Sequence, residues 1–281
     1  MTKYRPAALV QEGISQLTGC SDSPRLDAEV LLRAACGINR TALARDPDQS
    51  IDAQSADAFF SFLKRRCRAE PIAYILGRKE FWSLEIELND ATLVPRPETE
   101  VLVETTLDAI PPDTAVDIAD LGTGSGAIAL ALAIERPLAH ITATDISGAA
   151  LSKARENAKR LGLDIQFAEG DWFAPLKGRR FDAIVSNPPY VRRNDPALEA
   201  TPARFEPATA LFAGEDGLDC IRALCANLKH HLKAGGLVAL EHGHDQQDAV
   251  HALLSAAELE SIVGVNDQAG LARVTSARMP R

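Results

Sequence analysis

The sequence predicts an α/β protein in which a small N-terminal helical bundle, a β-hairpin linker and a doubly wound domain with a seven-stranded sheet follow one another. Three observations predict this fold class. Residues 1–77 contain helical patterns only, residues 79–94 alternate with the period of a strand, and from Ala115 onward strands alternate with helices. That last alternation is typical of a mostly parallel sheet covered by helices. We expect three parts, over residues 1–77, 78–95 and 96–281.

The helical patterns of the first part are carried by apolar residues at helical spacing. Ala28, Leu31 and Leu32 share one helix face, and Phe59 and Leu63 share another. Residues 80–88 then alternate as a strand, the Asn-Asp pair at 89–90 is a turn signal, and residues 91–94 can return. These patterns predict a bundle followed by a hairpin with its turn at residues 89–90.

The third part contains five strand patterns separated by helices, and two weaker ones near its end. The last two could form an antiparallel pair that closes the sheet. The predicted strands are Val116–Leu121, His140–Asp145, Asp164–Ala168, Phe181–Ser186, Gly236–Glu241, Leu259–Val263 and Leu271–Ser276.

Composition limits the classes of protein that remain. No apolar run approaches the roughly 18 residues that cross a bilayer, and the first residues lack the apolar segment of a signal peptide. The five cysteines form no CxxC pair, so we expect neither a disulfide framework nor structural zinc. The composition favours a cytoplasmic protein with no membrane partner and no bound metal.

The net charge of −9 is unevenly distributed. Residues 1–75 hold ten Lys and Arg against nine Asp and Glu, whereas residues 76–281 hold twenty against thirty. Tight binding to DNA or RNA depends largely on basic residues that neutralise phosphates. The acidic balance of the larger part therefore counts against a direct nucleic-acid partner.

A glycine-rich turn follows the first predicted strand of the third part. Such a turn requires glycine because the backbone bends sharply and a ligand approaches closely. Its G-x-G-x-G spacing differs from the G-x-G-x-x-G of dinucleotide sites, and the turn lacks the Lys-Ser/Thr of a P-loop. The candidate cofactor-binding residues of this turn are Gly122, Thr123, Gly124, Ser125 and Gly126.

Two further positions suit a nucleoside. Asp145 ends the second strand, where a carboxylate can bind ribose hydroxyls, although it could instead cap the following helix. Asp171 and Trp172 lie beyond the third strand and offer a hydrogen-bond acceptor and a flat ring for an adenine. Alternatively, Trp172 could be part of an interdomain core.

The most specific stretch is the tetrapeptide Asn187, Pro188, Pro189 and Tyr190, which directly follows the strand Phe181–Ser186. Proline has no N–H and biases the preceding residue toward extended geometry. The carbonyl of Pro188 and the side-chain oxygen of Asn187 can therefore accept two hydrogen bonds from one –NH2 group, while Tyr190 packs against its plane. Such a pair of acceptors can orient a planar nitrogen toward a methyl donor. We predict an S-adenosyl-L-methionine-dependent methyltransferase that releases S-adenosyl-L-homocysteine.

Several motifs occur in the order typical of one family, and they cover nearly the full length. They are Arg66 with the run 69–77, then residues 80–82, 93–100, the glycine turn, 186–190, 204–207 and 241–243. On these motifs the chain resembles the peptide chain release factor glutamine N5-methyltransferases of the HemK/PrmC family, within the Rossmann-like class I methyltransferases. Thr123-Gly124-Ser125 and Leu93-Val94 depart mildly from the common forms.

The resemblance implies a helical domain that helps to hold a class 1 peptide chain release factor, and a target glutamine in its Gly-Gly-Gln loop. It implies that the glycine turn, Asp145, Trp172 and Asn187 contact the cofactor, and that residues 187–190 hold the glutamine. Phe81 lies in a family motif and is a candidate for substrate contact. The protein would act in translation termination, and we expect a monomer.

Some alternatives stay open on sequence alone. The tetrapeptide could hold the amino group of an adenine or guanine in DNA or RNA, or a glutamine of a ribosomal protein, and the cofactor could be only a structural ligand. Phe81 and Glu98 could be structural, and Arg204 and Glu206 could order the loop after Tyr190. His242 and His244 are interpreted as loop residues because no third metal ligand accompanies them.

Overall fold

A computed structural model describes residues 4–39, 41, 45–46, 49–193, 195 and 202–281. The described chain divides into two compact units. The first ends at Arg78 and also contains residues 202–205, and the second holds Lys79 onward with the rest of the chain. The boundary falls at the first residue of the hairpin, one residue after the predicted end of the helical part.

The helices of the first unit include α1 (Pro6–Leu17), α2 (Pro24–Cys36), α3 (Ala53–Arg66) and α4 (Ile72–Leu76). Their apolar faces meet in one core, in which Leu31, Phe59 and Leu63 are fully buried. Arg66 Nε donates to Asp27 Oδ2 at 2.7 Å across this core. The bundle predicted from helical spacing is therefore present.

A hairpin follows, formed by β1 (Arg78–Phe81) and β2 (Leu84–Glu87). Its turn lies at Trp82 and Ser83, whose φ angles are 53° and 58°. The predicted continuous strand over residues 80–88 was wrong. A turn does form after Asn89, where the N–H of Thr92 donates to the carbonyl of Asn89 at 3.2 Å, but it is not the turn of the hairpin. Two consecutive positive φ angles make the tight turn that is typical of two-residue hairpins. The sequence did not predict it because such turns usually contain Gly, Asn or Asp, and Trp82 and Ser83 are none of these.

The second unit is built on a seven-stranded sheet with the order β5-β4-β3-β6-β7-β9-β8. Strands β3 to β7 are parallel, and β9 runs antiparallel to both β7 and β8. The predicted seven-stranded sheet and its closing antiparallel pair are confirmed. The strands are β3 (Asp117–Leu121), β4 (His140–Asp145), β5 (Gln166–Glu169), β6 (Phe181–Ser186), β7 (Leu232–Glu241), β8 (Glu260–Asn266) and β9 (Ala272–Arg278).

Helices connect most of these strands, whereas a 3-10 turn lies between β5 and β6 and a turn joins β8 to β9. The apolar residues of the central strands are buried because helices cover the sheet. Ile118, Ile184 and Val238, for example, are fully buried. Among the described residues, no helix has both the length and the apolar composition needed to cross a bilayer. The helices of this unit are α5 (Glu100–Ala109), α6 (Ala127–Glu135), α7 (Gly148–Leu161), α8 (Ala208–Leu211), α9 (Asp219–Cys225), α10 (Leu228–His231) and α11 (Gln247–Ala256), with 3-10 turns at Pro97–Thr99 and Ala174–Leu176.

The order of the sheet determines where a site can form. The chain progresses outward from β3 through β4 to β5 on one side, and from β6 to β7 on the other. In open parallel sheets, ligands bind in the crevice outside the carboxyl ends of the strands at this reversal point. The glycine turn follows β3 and the tetrapeptide follows β6, so both are located at that crevice.

Candidate active site

The sheet places the two candidate motifs side by side. Strands β3 and β6 are parallel neighbours, with Asp120 opposite Val185. Parallel neighbours end at the same edge of a sheet. The glycine turn and Asn187, which follow these strands, therefore open onto one space even though they are far apart in the chain.

That space is a cavity of about 380 Å³ in the second unit. Its volume is within the range of small-molecule sites. Most of the residues predicted for the cofactor line it, and from the tetrapeptide Asn187 and Pro189 do so. The predicted site residues in the lining are Gly122, Thr123, Gly124, Ser125, Asp145, Asp171, Trp172, Asn187 and Pro189.

The glycine turn is held against the end of β4. The N–H groups of Gly122 and Thr123 both donate to the carbonyl of Thr144, each at 2.9 Å. Gly122, Gly124 and Gly126 have φ angles of 73°, 58° and 86°, a region that favours glycine. Gly126 does not belong to the cavity lining; it is the N-cap of α6, and a Cβ there would lie 3.2 Å from Ala154 Cβ. Its glycine is therefore required for backbone conformation and helix packing.

Asp145 faces the cavity with both carboxylate oxygens engaged by backbone donors. Oδ2 accepts from the N–H of Gly124 and Oδ1 from the N–H of Ser147, each at 2.8 Å. Burial raises the pKa of Asp145, and these two hydrogen bonds oppose that shift. Each oxygen keeps a second lone pair that could accept from a ribose hydroxyl. The N-cap of α7 is Ser147, whose side chain accepts from Ala150, so Asp145 does not cap this helix.

Trp172 forms one wall of the cavity. Its backbone has a φ angle of 41°, and its carbonyl accepts from the Thr144 hydroxyl at 3.2 Å. A Cβ on Gly122 would lie 3.3 Å from the indole, so the ring packs directly on the glycine turn. Trp172 also packs on the core of the second unit, and the adjacent Asp171 is exposed at the cavity. The indole ring of Trp172 therefore both lines the cavity and packs against the core of the second unit.

Asn187 is oriented by a residue from a distant segment. Its Nδ2 donates to the hydroxyl of Thr99 at 3.2 Å, which leaves the side-chain oxygen to accept a hydrogen bond. Thr99 is buried, ends the 3-10 turn before α5 and also lines the cavity. Within the described chain, no protein donor reaches the carbonyl of Pro188. Of the two acceptors predicted from the tetrapeptide, the Asn187 oxygen belongs to a residue that lines the cavity, whereas Pro188 is buried.

Tyr190 lies differently from the expectation. Its side chain is not part of the cavity lining, and its hydroxyl donates to Glu241 Oε1 at 3.2 Å. Burial, followed by the charge of Glu241, raises the pKa of Tyr190 far above its usual value. The phenol is therefore held on the protein side of the tetrapeptide, because a buried carboxylate there requires a donor. Pro188 is buried and likewise does not line the cavity.

Phe81 is 1% exposed and packs in the interior of the fold, so its side chain cannot reach a substrate in this conformation. This placement removes Phe81 from the substrate-binding set.

Glu206 is buried and forms an ion pair with Arg96, whereas Glu98 is exposed. Arg204 donates to the carbonyl of Arg68 at 2.6 Å. Residues 194 and 196–201 of the loop after Tyr190 lie outside the described residues.

Part of the lining was missed by sequence reasoning. Small and apolar residues dominate it, and such residues carry no chemical signature of their own. The only available signal was the family motif around Leu93, Pro95 and Thr99. The missed residues are Ala91, Leu93, Pro95, Thr99, Ala127, Ile128, Ile146, Ser147, Gly170, Thr209, Ala210, Phe212 and Cys220.

Gln246 was also missed, and it holds the segment after the tetrapeptide. Its Nε2 donates to the carbonyl of Tyr190 at 3.0 Å, and its Oε1 accepts from the N–H of Gly243 at 2.8 Å.

His242 is buried, with Nδ1 2.9 Å from the carbonyl of Gly243 and Nε2 2.8 Å from the Thr275 hydroxyl. Both ring nitrogens therefore have protein partners. The described residues contain no cluster of three or more potential metal ligands.

Replacing Gly217 with alanine is expected to destabilise the protein by roughly 3 kcal/mol and to lower activity. Gly217 has a φ angle of 77°, and a Cβ there would lie 2.3 Å from the carbonyl oxygen of Tyr190. Gly178 is a matched control because its φ angle is 76° and a Cβ would meet nothing within 4 Å. Gly178→Ala should cost only about 1 kcal/mol, from the left-handed backbone alone. Urea unfolding measures both variants, and equal losses would contradict a steric role at Tyr190.

Comparison with known proteins matches both units. The PrmC N-terminal domain matches residues 8–77, and the Methyltransferase small domain matches residues 97–239. The fold of the chain is similar to a methyltransferase structure from Pyrococcus furiosus, with a TM-score of 0.54, 19% identity, and coverage of 78% of this chain and 98% of that one.

Close relatives are similar over almost the entire length. A release factor glutamine methyltransferase from Xylella fastidiosa (strain Temecula1) is 46% identical over 257 residues, which cover 91% of this chain and 94% of the relative. One from Escherichia coli (strain K12) is 42% identical over 270 residues, which cover 96% and 97%. The chain therefore belongs to the release factor glutamine methyltransferase family.

Proposed function

We propose that this protein transfers a methyl group from S-adenosyl-L-methionine to the N5 amide nitrogen of the glutamine in the Gly-Gly-Gln motif of class 1 peptide chain release factors. One observation carries the proposal. The free side-chain oxygen of Asn187 lies in the cavity that the glycine turn and Asp145 also line, and the next residue, Pro188, has a carbonyl with no donor among the described residues. A nucleoside site and a grip for a planar –NH2 group thus share one crevice.

The residues of the cavity fit the cofactor. Its volume of about 380 Å³ suits a nucleoside with a short side chain. Asp145 offers carboxylate oxygens for ribose hydroxyls, Trp172 offers a flat surface, and Asp171 offers an acceptor for an exocyclic amine. In the glycine turn, a side chain at Gly122 would press on the Trp172 ring. The sulfonium of S-adenosyl-L-methionine supplies an electrophilic methyl group.

Asn187 and Pro188 are proposed to hold the nucleophile, which is the amide nitrogen of the target glutamine. An amide nitrogen is a poor nucleophile because its lone pair is delocalised into the carbonyl group. The oxygens of Asn187 and Pro188 can accept both hydrogens of the –NH2 group, which fixes the direction of its lone pair. The same oxygens stabilise the positive charge that develops on nitrogen during attack. No strong base is needed, since the nitrogen loses a proton readily once it is alkylated.

The domain assignments follow from the family to which the chain belongs, and the other assignments from charge and composition. Residues 1–77 are proposed to form the domain that recognises the release factor, and residues 96–281 the catalytic domain, with the hairpin linker between them. The excess of acidic residues beyond residue 75 disfavours a nucleic-acid substrate. We propose a cytoplasmic monomer that acts in translation termination without a membrane partner or direct contact with nucleic acid.

The test offers the enzyme a choice of substrates. The enzyme and labelled S-adenosyl-L-methionine are incubated in three separate reactions. The first contains purified class 1 release factors, the second ribosomes and the third DNA. We expect label only on the release factors, and peptide mass spectrometry should place one methyl group on the Gly-Gly-Gln glutamine. A release factor with that glutamine replaced by alanine is the matched control and should stay unlabelled. Label on DNA, rRNA or a ribosomal protein instead would overturn the proposal.

A further inference from the structure

A buried glutamine side chain joins the end of the tetrapeptide to two other segments. Gln246 is 4% exposed and stands at the N-cap of α11. Its Nε2 lies 3.0 Å from the carbonyl oxygen of Tyr190, 3.3 Å from that of Asp216 and 3.4 Å from that of Gly217. Its Oε1 accepts from the N–H of Gly243 at 2.8 Å. The amide therefore meets carbonyl oxygens on one side and an N–H group on the other.

Two glycines leave room for this amide. A Cβ on Gly217 would lie 2.7 Å from Gln246 Nε2 and 2.3 Å from the carbonyl oxygen of Tyr190. A Cβ on Gly243 would lie 3.0 Å from Gln246 Oε1. A carboxylate offers no donor for these surroundings, and an apolar side chain offers neither donor nor acceptor. The surroundings therefore fit a primary amide in one orientation.

The tetrapeptide has no donors in its middle through which it could be anchored. Pro188 and Pro189 carry no N–H, and no donor among the described residues reaches the carbonyl of Pro188. The placement of Asn187 and Pro189 in the cavity therefore depends on what holds the two ends of the tetrapeptide. One end continues directly from β6, and at the other end Gln246 holds the carbonyl of Tyr190.

We propose that Gln246 is a positioning residue for methyl transfer. By holding the carbonyl of Tyr190, it keeps the acceptor oxygen of Asn187 aligned with the target nitrogen. Gln246 does not line the cavity, so its effect is expected in kcat and not in the affinity for the cofactor. The inference rests on the proposed function for this catalytic effect, whereas its structural part can be measured without a substrate.

The structural part is measured by hydrogen exchange of backbone amides in the free protein. The N–H of Val191 donates to the carbonyl of Leu211, and the N–H of Ala213 donates to the carbonyl of Val191, each at 2.9 Å. We expect both amides to exchange about tenfold faster in Gln246→Met, because the segment beside them has lost its anchor. The N–H of Gly122, in the glycine turn, is the internal control and should exchange at the wild-type rate.

The catalytic part is measured as kcat at saturating release factor and cofactor. Gln246→Met keeps the length of the side chain without its hydrogen bonds, and it should lower kcat about tenfold. Gln246→Glu should lower kcat about 10²-fold at about pH 8, because a carboxylate oxygen would face the carbonyl oxygens. The dissociation constant of S-adenosyl-L-methionine, measured by calorimetry, should stay at its wild-type value in both variants.

Gln247→Met and Gln247→Glu are the matched controls, since they make the same chemical changes at the next residue. The side chain of Gln247 lies against β8, where a Cβ on Gly264 would be 2.4 Å from its Oε1. It therefore points away from the tetrapeptide. Both control variants should keep the wild-type kcat.

Lowering the pH should restore the activity of Gln246→Glu. A neutral carboxyl group has one O–H donor and one acceptor oxygen, which reproduces the bonds to Tyr190 and Gly243. Burial and the facing carbonyl oxygens raise the pKa of a carboxyl group at this position. The ratio of the kcat of Gln246→Glu to that of the wild-type protein should therefore rise as the pH falls from about 8 to about 6. Gln246→Met should show no such rise, because a loss of packing does not titrate.

The charged groups around this position favour that neutral form. Hydrogen bonds with Arg222 lower the pKa of Asp216 to about 2, so this carboxylate stays ionised. Asp245 forms an exposed ion pair with Arg192, with 2.5 Å between Oδ2 and Nη2. Neighbouring negative charges raise the pKa of an introduced carboxyl group. Burial lowers the pKa of His242, so its ring stays neutral.

Two buried carboxyl groups of the wild-type protein titrate in the same range. Burial raises the pKa of Glu241 and that of Asp120 to about 7. Both groups are present in the wild-type protein and in every variant of Gln246. Their effects on kcat therefore cancel in the ratio, and a pH dependence of the ratio belongs to the introduced carboxyl group.

The outcomes separate the inference from the proposed function. If the wild-type protein methylates the release factor and both Gln246 variants match it at every pH, the inference fails while the proposed function stands. Loss of cofactor affinity, or a ratio for Gln246→Glu that is constant with pH, would also overturn the inference. If Gln246→Met does not fold, the ratio for Gln246→Glu decides. If the wild-type protein methylates no release factor, the proposed function fails, and hydrogen exchange alone decides the inference: equal rates in Gln246→Met and the wild-type protein, or equal acceleration at Gly122, would overturn it.

Discussion

Replacing Asn187 with alanine is expected to lower kcat for release-factor methylation by about 10²- to 10³-fold, the scale of removing one group that stabilises charge in a transition state. The variant should fold normally, because Asn187 is only half-buried and its side chain makes one hydrogen bond, to Thr99. Cofactor affinity should change little, since the glycine turn and Asp145 are untouched. Single-turnover rates and calorimetric binding of S-adenosyl-L-methionine measure the two properties separately.

Asn227→Ala provides the matched control for this experiment. Asn227 undergoes the same chemical change but is exposed, and its side chain donates only to the carbonyl of Ala223 within the helical region. Its rate should equal that of the wild-type protein. A wild-type rate in Asn187→Ala would remove the proposed role of the tetrapeptide, whereas loss of cofactor binding together with rate would make Asn187 primarily a cofactor ligand.

Replacing Asp145 with alanine is expected to weaken binding of S-adenosyl-L-methionine by roughly 10²-fold, because hydrogen bonds to a charged group are each worth about 1.5–3 kcal/mol. The ribose hydroxyls of the cofactor would lose the carboxylate that accepts their hydrogen bonds. The N–H groups of Gly124 and Ser147 would lose the same acceptor. Activity at saturating cofactor should recover in large part. Isothermal calorimetry measures the affinity, and kcat at increasing cofactor concentration measures the recovery.

Asp164→Ala is the control for this change, because Asp164 is exposed and has no role in the proposed site. Asp145→Asn separates charge from shape, since one side-chain oxygen remains an acceptor. We expect its affinity to lie between those of the wild-type protein and Asp145→Ala. An unchanged dissociation constant in Asp145→Ala would show that the ribose lies elsewhere and would require a different placement of the cofactor in the cavity.

Local patterns in the sequence were sufficient for the architecture. The strands that precede the glycine turn and the tetrapeptide are short, mostly apolar runs, and their pattern and length do not depend on the rest of the chain. The topology rule for parallel sheets then places both motifs at one edge. Most residues predicted for the cofactor accordingly line the cavity.

Contacts between segments that are distant in the chain determine the direction in which individual side chains point. Asn187 is oriented by Thr99, 88 residues away in the chain, and Tyr190 by Glu241, 51 residues away. No local spacing relates the members of such pairs. For the same reason the sequence suggested that Tyr190 faces the substrate and that Phe81 contacts it, although both side chains point elsewhere.

The sequence by itself therefore determined the fold class, the two motifs and the edge of the sheet at which they meet, because these depend on periodicity and on residues adjacent in the chain. The tertiary structure alone decided the hairpin turn at Trp82 and Ser83, the apolar lining of the cavity and the buried carboxyl group of Glu241 beside the tetrapeptide. These features arise from packing and from pairing of buried polar groups, whose free energy depends on neighbours that only the folded chain brings together.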